Sequence, residues 1–251
     1  MTQQLVDERN FIHIQPIRAI MSLDTIASDK AHDLYSWAMA VQSFRTDTKF
    51  DVFFDQNRAY YDRILSKIKP LDIKKCVGFT LSYFKGNGMD LNLYICPFAG
   101  NYGFVQSGRA HVVRCLPYNR DENIAAAHSA NFIRGIAHEY AHCFVNPVVE
   151  KYKERLDTYN GFFDAHTNMW SCYNVNYAVM NEYYVRAYTR RYIEIFKEDF
   201  TDSFFMTYNQ NEEEVFPYID SFVRSLRDYE KSDMSFEDFY LDHLPEIGAL
   251  K

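Results

Sequence analysis

Several features that mark particular classes of protein are missing from this chain. No run of lysine or arginine occurs, and a net charge of -7 with a pI near 5.6 argues against a nucleic-acid-binding surface. No apolar stretch approaches the length of a membrane span. Residues 1–22 also lack a basic start followed by an apolar run and a small-residue cleavage site, so no secretory signal is predicted. We therefore expect neither a nucleic-acid nor a membrane partner. If Met1 is the native start we expect a cytoplasmic protein, whereas a trimmed leader would make it an exported one.

Cysteines are few and irregularly spaced. The five are Cys76, Cys96, Cys115, Cys143 and Cys172. Their odd number and wide spacing form neither a disulfide framework nor a CxxC zinc site, so most are expected to be buried thiols in a reducing compartment. Internal repeats, low-complexity segments and clear linkers are also absent. The chain is therefore predicted to be a single domain, 1–251, with a possible subdivision into 1–147 and 148–251.

The most informative segment is the pentapeptide His138-Glu139-Tyr140-Ala141-His142. Two histidines four residues apart lie on one face of a helix, so both imidazoles can bind one ion. Nitrogen ligands favour zinc, and an open coordination position allows zinc to bind a water and lower its pKa to about 7. Glu139 is then placed to accept a proton from that water rather than to bind the metal. The sequence predicts one Zn2+ per chain, with Glu139 as the catalytic residue.

The context of this HExxH motif is helical. Apolar residues recur at helical spacing from about Ala125 onward, and Asn146-Pro147 is expected to end the helix because proline cannot continue the hydrogen-bond ladder. Gly135, one turn before His138, lowers helix stability and leaves the metal-facing side uncrowded.

The remaining pattern predicts an α+β protein. Residues 10–20 alternate like a strand, and helices are predicted from Asp24 or Ser28 to about Phe44, over 47–69, and over 175–197, 212–229 and 235–243. Strands are predicted over 76–84, 89–96, 102–105 and 110–116, with a glycine turn at 85–88 that pairs the first two. The prediction is a small, mostly antiparallel sheet, then the HExxH helix, then a largely helical C-terminal half. This order resembles that of zincin-type peptidases, in which the last strand offers an open edge to an extended peptide. That edge would be 110–116 here, and the alternative is that 110–116 is an ordinary sheet edge with no bound peptide.

A catalytic zinc needs a third protein ligand, and three residues remain candidates: Glu182, Asp164 and His166. The metzincin pattern is excluded, because Val145 and Val148 stand where that pattern has glycine and histidine.

Glu182 is the preferred candidate because it interrupts an apolar stripe of the 175–197 helix. A carboxylate on a buried stripe must be paired or bind a metal. The competing explanation is an ordinary ion pair with Arg186, one turn later.

These motifs resemble the gluzincin class of zinc metallopeptidases over about residues 75–195. The matching segments are the HExxH motif followed by Asn146-Pro147, and later Asn181-Glu182-Tyr-Tyr-Val-Arg186-Ala187. More closely, the chain is similar to an uncharacterised bacterial family of unknown function with a gluzincin-like HExxH and a later Glu-x-x-x-Arg-Ala helix. The resemblance implies His138, His142 and Glu182 as zinc ligands and Glu139 as general base and acid.

One departure from the thermolysin-like and neprilysin-like gluzincins concerns Arg186. Those enzymes carry an aspartate four residues after the ligand glutamate, and it orients a zinc histidine. In this chain another carboxylate or a backbone carbonyl is expected to do so.

The sequence thus predicts a zinc-dependent metallopeptidase that hydrolyses peptide bonds in a peptide or protein substrate. A donor to the reacting carbonyl oxygen is expected from one of four residues: Tyr183, Tyr173, His166 or Arg186. The alternative is a catalytically inactive metal-binding or protein-binding domain that keeps a zincin-like site. No oligomeric state is indicated by the sequence.

Overall fold

The structure is a computed structural model, and it describes residues 28–86, 88–96, 100–115, 126–164, 166 and 175–250. The chain divides into two compact units, Met1–Pro70 and Leu71–Lys251. The division follows Pro70, whereas the possible division expected from the sequence follows residue 147. The predicted domain organisation stays a prediction, and the strand-like segment 10–20 lies outside the described residues.

The described part of the first unit consists of three helices: α1 (Ser28–Asp47), α2 (Phe50–Gln56) and α3 (Arg58–Ile68). The predicted helix ending near Phe44 is confirmed as α1. The single helix predicted over 47–69 is wrong, because Asn57 leaves the helical conformation (φ -102°, ψ 9°). The Asn57 side-chain amide donates a hydrogen bond of 2.7 Å to the carbonyl oxygen of Phe53, which stabilises this break.

The second unit is α+β. In chain order its elements are α4 (Ile73–Tyr83), β1 (Leu91–Cys96), β2 (Tyr102–Gln106), β3 (Arg109–Cys115), α5 (Ala126–Lys151), α6 (Lys153–Leu156), α7 (Asn160–Asp164), α8 (Asn176–Ile195), a 3-10 turn (Lys197–Asp199), α9 (Asp202–Val215), α10 (Ile219–Tyr229) and α11 (Phe236–Gly248). A small sheet is followed by a largely helical C-terminal part, as predicted. None of the helices among the described residues is both long enough and apolar enough to span a membrane.

The sheet is mixed, so the prediction of a mostly antiparallel sheet is wrong. Its order is β1-β3-β2, with β3 parallel to β1 and antiparallel to β2. The β2–β3 hairpin closes through Ser107 and Gly108, which both have positive φ, the conformation that a two-residue type I′ turn requires. Because β3 is central, the predicted open edge at 110–116 is also wrong. The outer strands of the described sheet are β1 and β2.

The strand predicted over 76–84 is a helix, α4. Asp72 caps it by accepting a hydrogen bond of 3.0 Å from the backbone N–H of Lys75. Cys76 and Thr80, one turn apart, are both fully buried. The apolar residues of this short segment fit the period of two of a strand and the period of 3.6 of a helix equally well. The Asp72 cap favours the helix. Without this strand no 76–96 hairpin forms, and β1 pairs with β3 instead.

The HExxH helix, α5, is central to the second unit. It packs against β2 and β3 on one side and against α4, α8 and α11 elsewhere. Tyr140 and Cys143 meet Ala110 and Val112 of β3 in the core between helix and sheet. The prediction that Pro147 ends the helix is wrong, since α5 continues to Lys151. Pro147 is exposed, and its missing N–H removes only one helical hydrogen bond.

The C-terminal helices follow the prediction in part. The helix predicted over 175–197 is confirmed as α8, which is buried along most of its length. The helix predicted over 212–229 is wrong, because α9 ends at Val215 and α10 begins at Ile219, with Pro217 between them. The helix predicted over 235–243 is confirmed as α11, which is capped by Ser235 accepting from the N–H of Asp238 and continues to Gly248. Between these C-terminal helices and α5, the short helix α7 occupies Asn160–Asp164.

Candidate metal centre

Three side chains from two helices converge beside α5. His138 and His142 extend from α5, and their rings lie 5.1 Å apart at 82°. Glu182 of α8 faces both, with Oε2 3.9 Å from His138 Nε2 and Oε1 3.5 Å from His142 Nε2. Each side chain keeps 11 or 12% of its surface exposed, so the cluster is recessed but reachable from solvent. Among the described residues these are the side chains grouped closely enough to bind a metal ion.

The hydrogen bonds of His138 determine which of its nitrogens carries the proton. Thr189 Oγ1 lies 3.2 Å from His138 Nδ1 and donates its own hydrogen to the carbonyl oxygen of Val185, at 2.7 Å. Having used its hydrogen, the hydroxyl accepts from Nδ1–H. The proton therefore resides on Nδ1, and the lone pair of Nε2 faces Glu182.

The same arrangement recurs at His142. Its Nδ1 lies 2.9 Å from the side-chain oxygen Oδ1 of Asn146, which can only accept. The lone pair of His142 Nε2 therefore also faces Glu182. Thr189 and Asn146 take the orienting role that the sequence analysis expected from a carboxylate or a backbone carbonyl. Neither residue could be identified from the sequence: Asn146 lies four positions after His142, which does not mark it as the partner of Nδ1, and Thr189 reaches His138 only through the packing of α8 on α5.

The atoms that converge at the centre are all acceptors. Two imidazole lone pairs and a carboxylate facing one another without a hydrogen between them repel, unless a cation lies among them. In a tetrahedral zinc site with bonds of about 2.0–2.1 Å, ligand atoms are about 3.3 Å apart. The observed separations, 3.5 Å from Glu182 Oε1 and 3.9 Å from Glu182 Oε2, are each close to this spacing, so the three side chains could hold a metal ion of this size.

Glu182 is held by an ion-pair chain. Arg186 Nε donates to Glu182 Oε2 at 2.7 Å, and Arg186 Nη1 donates to Glu212 Oε1 at 2.6 Å. The guanidinium also lies 4.6 Å from the ring centre of Phe216. The ion pair with Arg186 and the position beside the histidines therefore coexist: Oε2 accepts from Arg186 and also lies 3.9 Å from His138 Nε2, while Oε1 faces His142. Arg186 fixes the orientation of this carboxylate.

Burial and nearby charges keep the imidazole of His138 neutral and make the carboxylate of Glu139 more basic. Burial lowers the pKa of His138 well below its usual range, and the charges of His142, Arg186, Arg134 and Arg114 add to the effect. Neutral imidazole is the form that binds metals. Burial also raises the pKa of Glu139, and Glu182 contributes in the same direction. A carboxyl group with a raised pKa is a better proton acceptor when ionised.

Two glycines allow the surrounding elements to approach the site. A Cβ at Gly103 of β2 would lie 1.6 Å from the backbone oxygen of Glu139, so only glycine permits this strand to pack there. A Cβ at Gly135 would lie 2.2 Å from the guanidinium of Arg114. The side predicted to be uncrowded at Gly135 is thus occupied by an arginine from β3.

The other predicted site residues lie elsewhere or outside the described residues. His166 and Tyr183 bind each other, with 2.5 Å between Nε2 and the hydroxyl oxygen, and His166 Nδ1 donates to the carbonyl oxygen of Phe162. Asp164 is exposed at the end of α7. Neither Asp164 nor His166 belongs to the convergent group found among the described residues. Tyr173 lies outside those residues.

Comparisons with known proteins give a match to one family model. Neither the curated proteins nor the solved structures contain a match to this chain. A family model described as Domain of unknown function (DUF4932) matches residues 15–249, which is nearly the whole chain and includes every residue of the cluster. The chain therefore belongs to the DUF4932 family.

Proposed function

We propose that this protein is a zinc-dependent metallopeptidase of the zincin type, with His138, His142 and Glu182 as the metal ligands. The observation that carries the proposal is the convergence of three acceptor groups whose nitrogens are pre-oriented by Thr189 and Asn146. Two histidines and one carboxylate leave a coordination position open, which is typical of catalytic rather than structural zinc. When bound, zinc supplies a Lewis acid that polarises a substrate carbonyl and makes water more acidic.

Glu139 and Arg186 then have different roles in the hydrolysis. Glu139 accepts a proton from the attacking water as its oxygen bonds to the peptide carbonyl carbon, and passes that proton to the amine nitrogen as the C–N bond breaks. Its raised pKa suits both steps. Arg186 holds the Glu182 carboxylate in place through the hydrogen bond to Oε2.

The sheet supplies a place for an extended peptide. β2 is an outer strand of the described sheet, and its Gly103 lies against the backbone of Glu139. A peptide that added to β2 as a further strand would run alongside the HExxH helix. We therefore assign the substrate-binding edge to β2 rather than to 110–116.

Replacement of Glu139 by glutamine tests the proposal. The variant should bind zinc in the same amount as the wild-type protein, measured by atomic emission, and should lose cleavage of a broad peptide library analysed by mass spectrometry. Retained cleavage by a fully loaded Glu139→Gln protein would reject the role of Glu139. A zinc-loaded wild-type protein that cleaves no peptide would reject the peptidase and favour the alternative, an inactive metal-binding or protein-binding domain.

A further inference from the structure

Arg134 shares a helical stripe with the two histidines of the site. Residues 134, 138 and 142 are four apart on α5, so their side chains follow one another along one face. Arg134 Nε donates a hydrogen bond of 3.0 Å to the side-chain oxygen of Asn131, and the guanidinium lies 5.0 Å from the ring centre of Tyr208 on α9. The guanidinium is thus positioned by neutral groups at one end of the metal centre, and Arg134 remains partly exposed.

Carboxylates neutralise the arginines of α8, whereas Arg134 has no such partner among the described residues. Each of them forms ion pairs with two carboxylates: Arg186 with Glu182 and Glu212, Arg190 with Glu213 and Asp220, and Arg191 with Glu194 and Glu230. Within the part of the chain that the structure describes, Arg134 has no carboxylate within ion-pair distance. A guanidinium stacked on an aromatic ring and lacking an acidic partner is a suitable binding group for a carboxylate.

The charge of the whole site favours the same kind of ligand. The carboxylates acting on it are Glu139, Glu182 and Glu212, and the guanidinium groups are Arg114, Arg134 and Arg186. Because these charges balance, a bound divalent cation leaves the site positive, although the chain as a whole carries a charge of -7. A positive recess in an acidic protein attracts anionic ligands.

We propose that Arg134 binds a carboxylate of the substrate, so that this site takes acidic peptides. As a prediction about a substrate, this rests on the proposed function. Four helical residues rise about 6 Å along the helix axis, and an extended peptide advances about 3.3 Å per residue. The acidic group is therefore expected within about two residues of the bond that is cleaved.

The binding step can be tested without catalysis. Zinc-loaded protein, dialysed to remove unbound metal, would be titrated calorimetrically with succinate and with succinamide, which has the same length and no carboxylate. We expect succinate to bind more tightly than succinamide, and about ten-fold or more tightly to the wild-type protein than to Arg134→Gln. Arg134→Lys, which keeps the charge and loses the planar fork, should give an intermediate affinity. Arg224→Gln is the matched control, because Arg224 is an exposed arginine of α10 bonded only to Asp220 and Ser221 among the described residues.

Two results would overturn the assignment: no succinate binding by the folded wild-type protein, or equal affinity in wild type and a folded Arg134→Gln variant. Circular dichroism establishes folding, and Arg134→Lys substitutes if Arg134→Gln is unfolded.

In a second experiment, the zinc-loaded protein would digest two peptide libraries that are identical except that one contains Glu and Asp where the other contains Gln and Asn. Faster cleavage of the acidic library that is lost in the Arg134 variant supports the proposal. Cleavage without that preference rejects it, and absence of all cleavage rejects the peptidase while the calorimetry still decides the role of Arg134.

Discussion

Thr189 and Asn146 determine how the two histidines of the centre present their lone pairs. The three residues that converge at the centre could be predicted from the sequence, because HExxH defines one helical face and Glu182 is a charged residue on an apolar stripe. The two orienting residues could not be identified in the same way. Thr189 contacts His138 only because α8 packs on α5, and the sequence around Thr189 does not reveal this packing.

Removal of the Thr189 hydroxyl should weaken metal binding. In Thr189→Val the side chain keeps its shape and loses the acceptor for His138 Nδ1–H, so the imidazole is no longer fixed in one tautomer. We expect zinc affinity to fall about 10- to 100-fold, measured by competition with a chromophoric chelator. Thr189→Ser, which keeps the hydroxyl, should bind nearly as well as wild type. Equal losses in the two variants would mean that packing, and not the hydrogen bond, is responsible.

His243 provides a second prediction at this scale, remote from HExxH in the sequence. It is 6% exposed and hydrogen-bonds to the Tyr184 hydroxyl through Nδ1 and to the Ser225 hydroxyl through Nε2. Because Ser225 donates to the carbonyl oxygen of Ser221, His243 is the donor to Ser225, and Tyr184 donates to Nδ1. The neutral ring satisfies all of these bonds. Burial lowers the pKa of His243 to about 4, with Asp242 acting weakly in the opposite direction.

The sign of the resulting pH dependence follows from this lowered pKa. The unfolded chain binds a proton on His243 below about pH 6.5, whereas the folded protein binds it only near pH 4. The contribution to stability is intact above pH 6.5, declines as the pH falls, and is lost below about pH 4, by a total of about 3 kcal/mol. Urea unfolding across this range should show a shallower decline in His243→Gln than in wild type. Equal declines of the unfolding free energy in the two proteins would contradict the assignment of this pH dependence to His243.

At the scale of elements, long periodic segments were predictable and short ones were not. α8 was predicted close to its observed bounds, since several turns of apolar periodicity define a helix, whereas α1 was predicted from a candidate cap, Asp24 or Ser28. α4 was mistaken for a strand, because eleven residues containing Cys76, Gly78 and Thr80 fit either period. Pro147 was mistaken for a helix end, since only tertiary packing shows that α5 is supported on both sides of it.

The approach of β2 to α5 depends on Gly103. In Gly103→Ala the new methyl group would overlap the backbone oxygen of Glu139, which has no flexible side chain that could move aside. We expect a loss of about 3 kcal/mol or more in unfolding free energy, together with weaker activity because the HExxH backbone is displaced. Chemical denaturation measures the loss. Gly78→Ala in α4 is the control, because nothing lies within 4 Å of its added methyl, and helix propensity should stabilise it by up to about 1 kcal/mol. Similar stability in the two variants would contradict the described packing.

At the scale of the molecule, the class of fold followed from the order of patterns, whereas the sheet topology did not. A small sheet before the HExxH helix was predicted and is present, but pairing between β1 and β3 joins segments separated by β2. Such non-local pairing leaves no signature in a single sequence. The interaction of α5 with α8 is likewise long-range, and it is this interaction that assembles the candidate centre within Leu71–Lys251.

A metal that binds across α5 and α8 should stabilise the unit that contains them. Zinc at 100 times its dissociation constant raises the unfolding free energy by about 2.7 kcal/mol if it binds only the folded state. Differential scanning calorimetry should show a higher transition temperature with zinc than with chelator in the wild-type protein, and no difference in Glu182→Gln. An equal shift in the variant would place the bound metal elsewhere.

The measurement that tests the central claim most directly is the metal stoichiometry of wild-type protein and of single ligand variants after equilibrium dialysis against zinc. The account predicts one zinc per wild-type chain and a marked loss of retained zinc in His138→Gln, His142→Gln and Glu182→Gln, while Glu139→Gln and Asp164→Asn retain one. Failure of the wild-type protein to retain zinc, or unchanged retention in all three ligand variants, would contradict it.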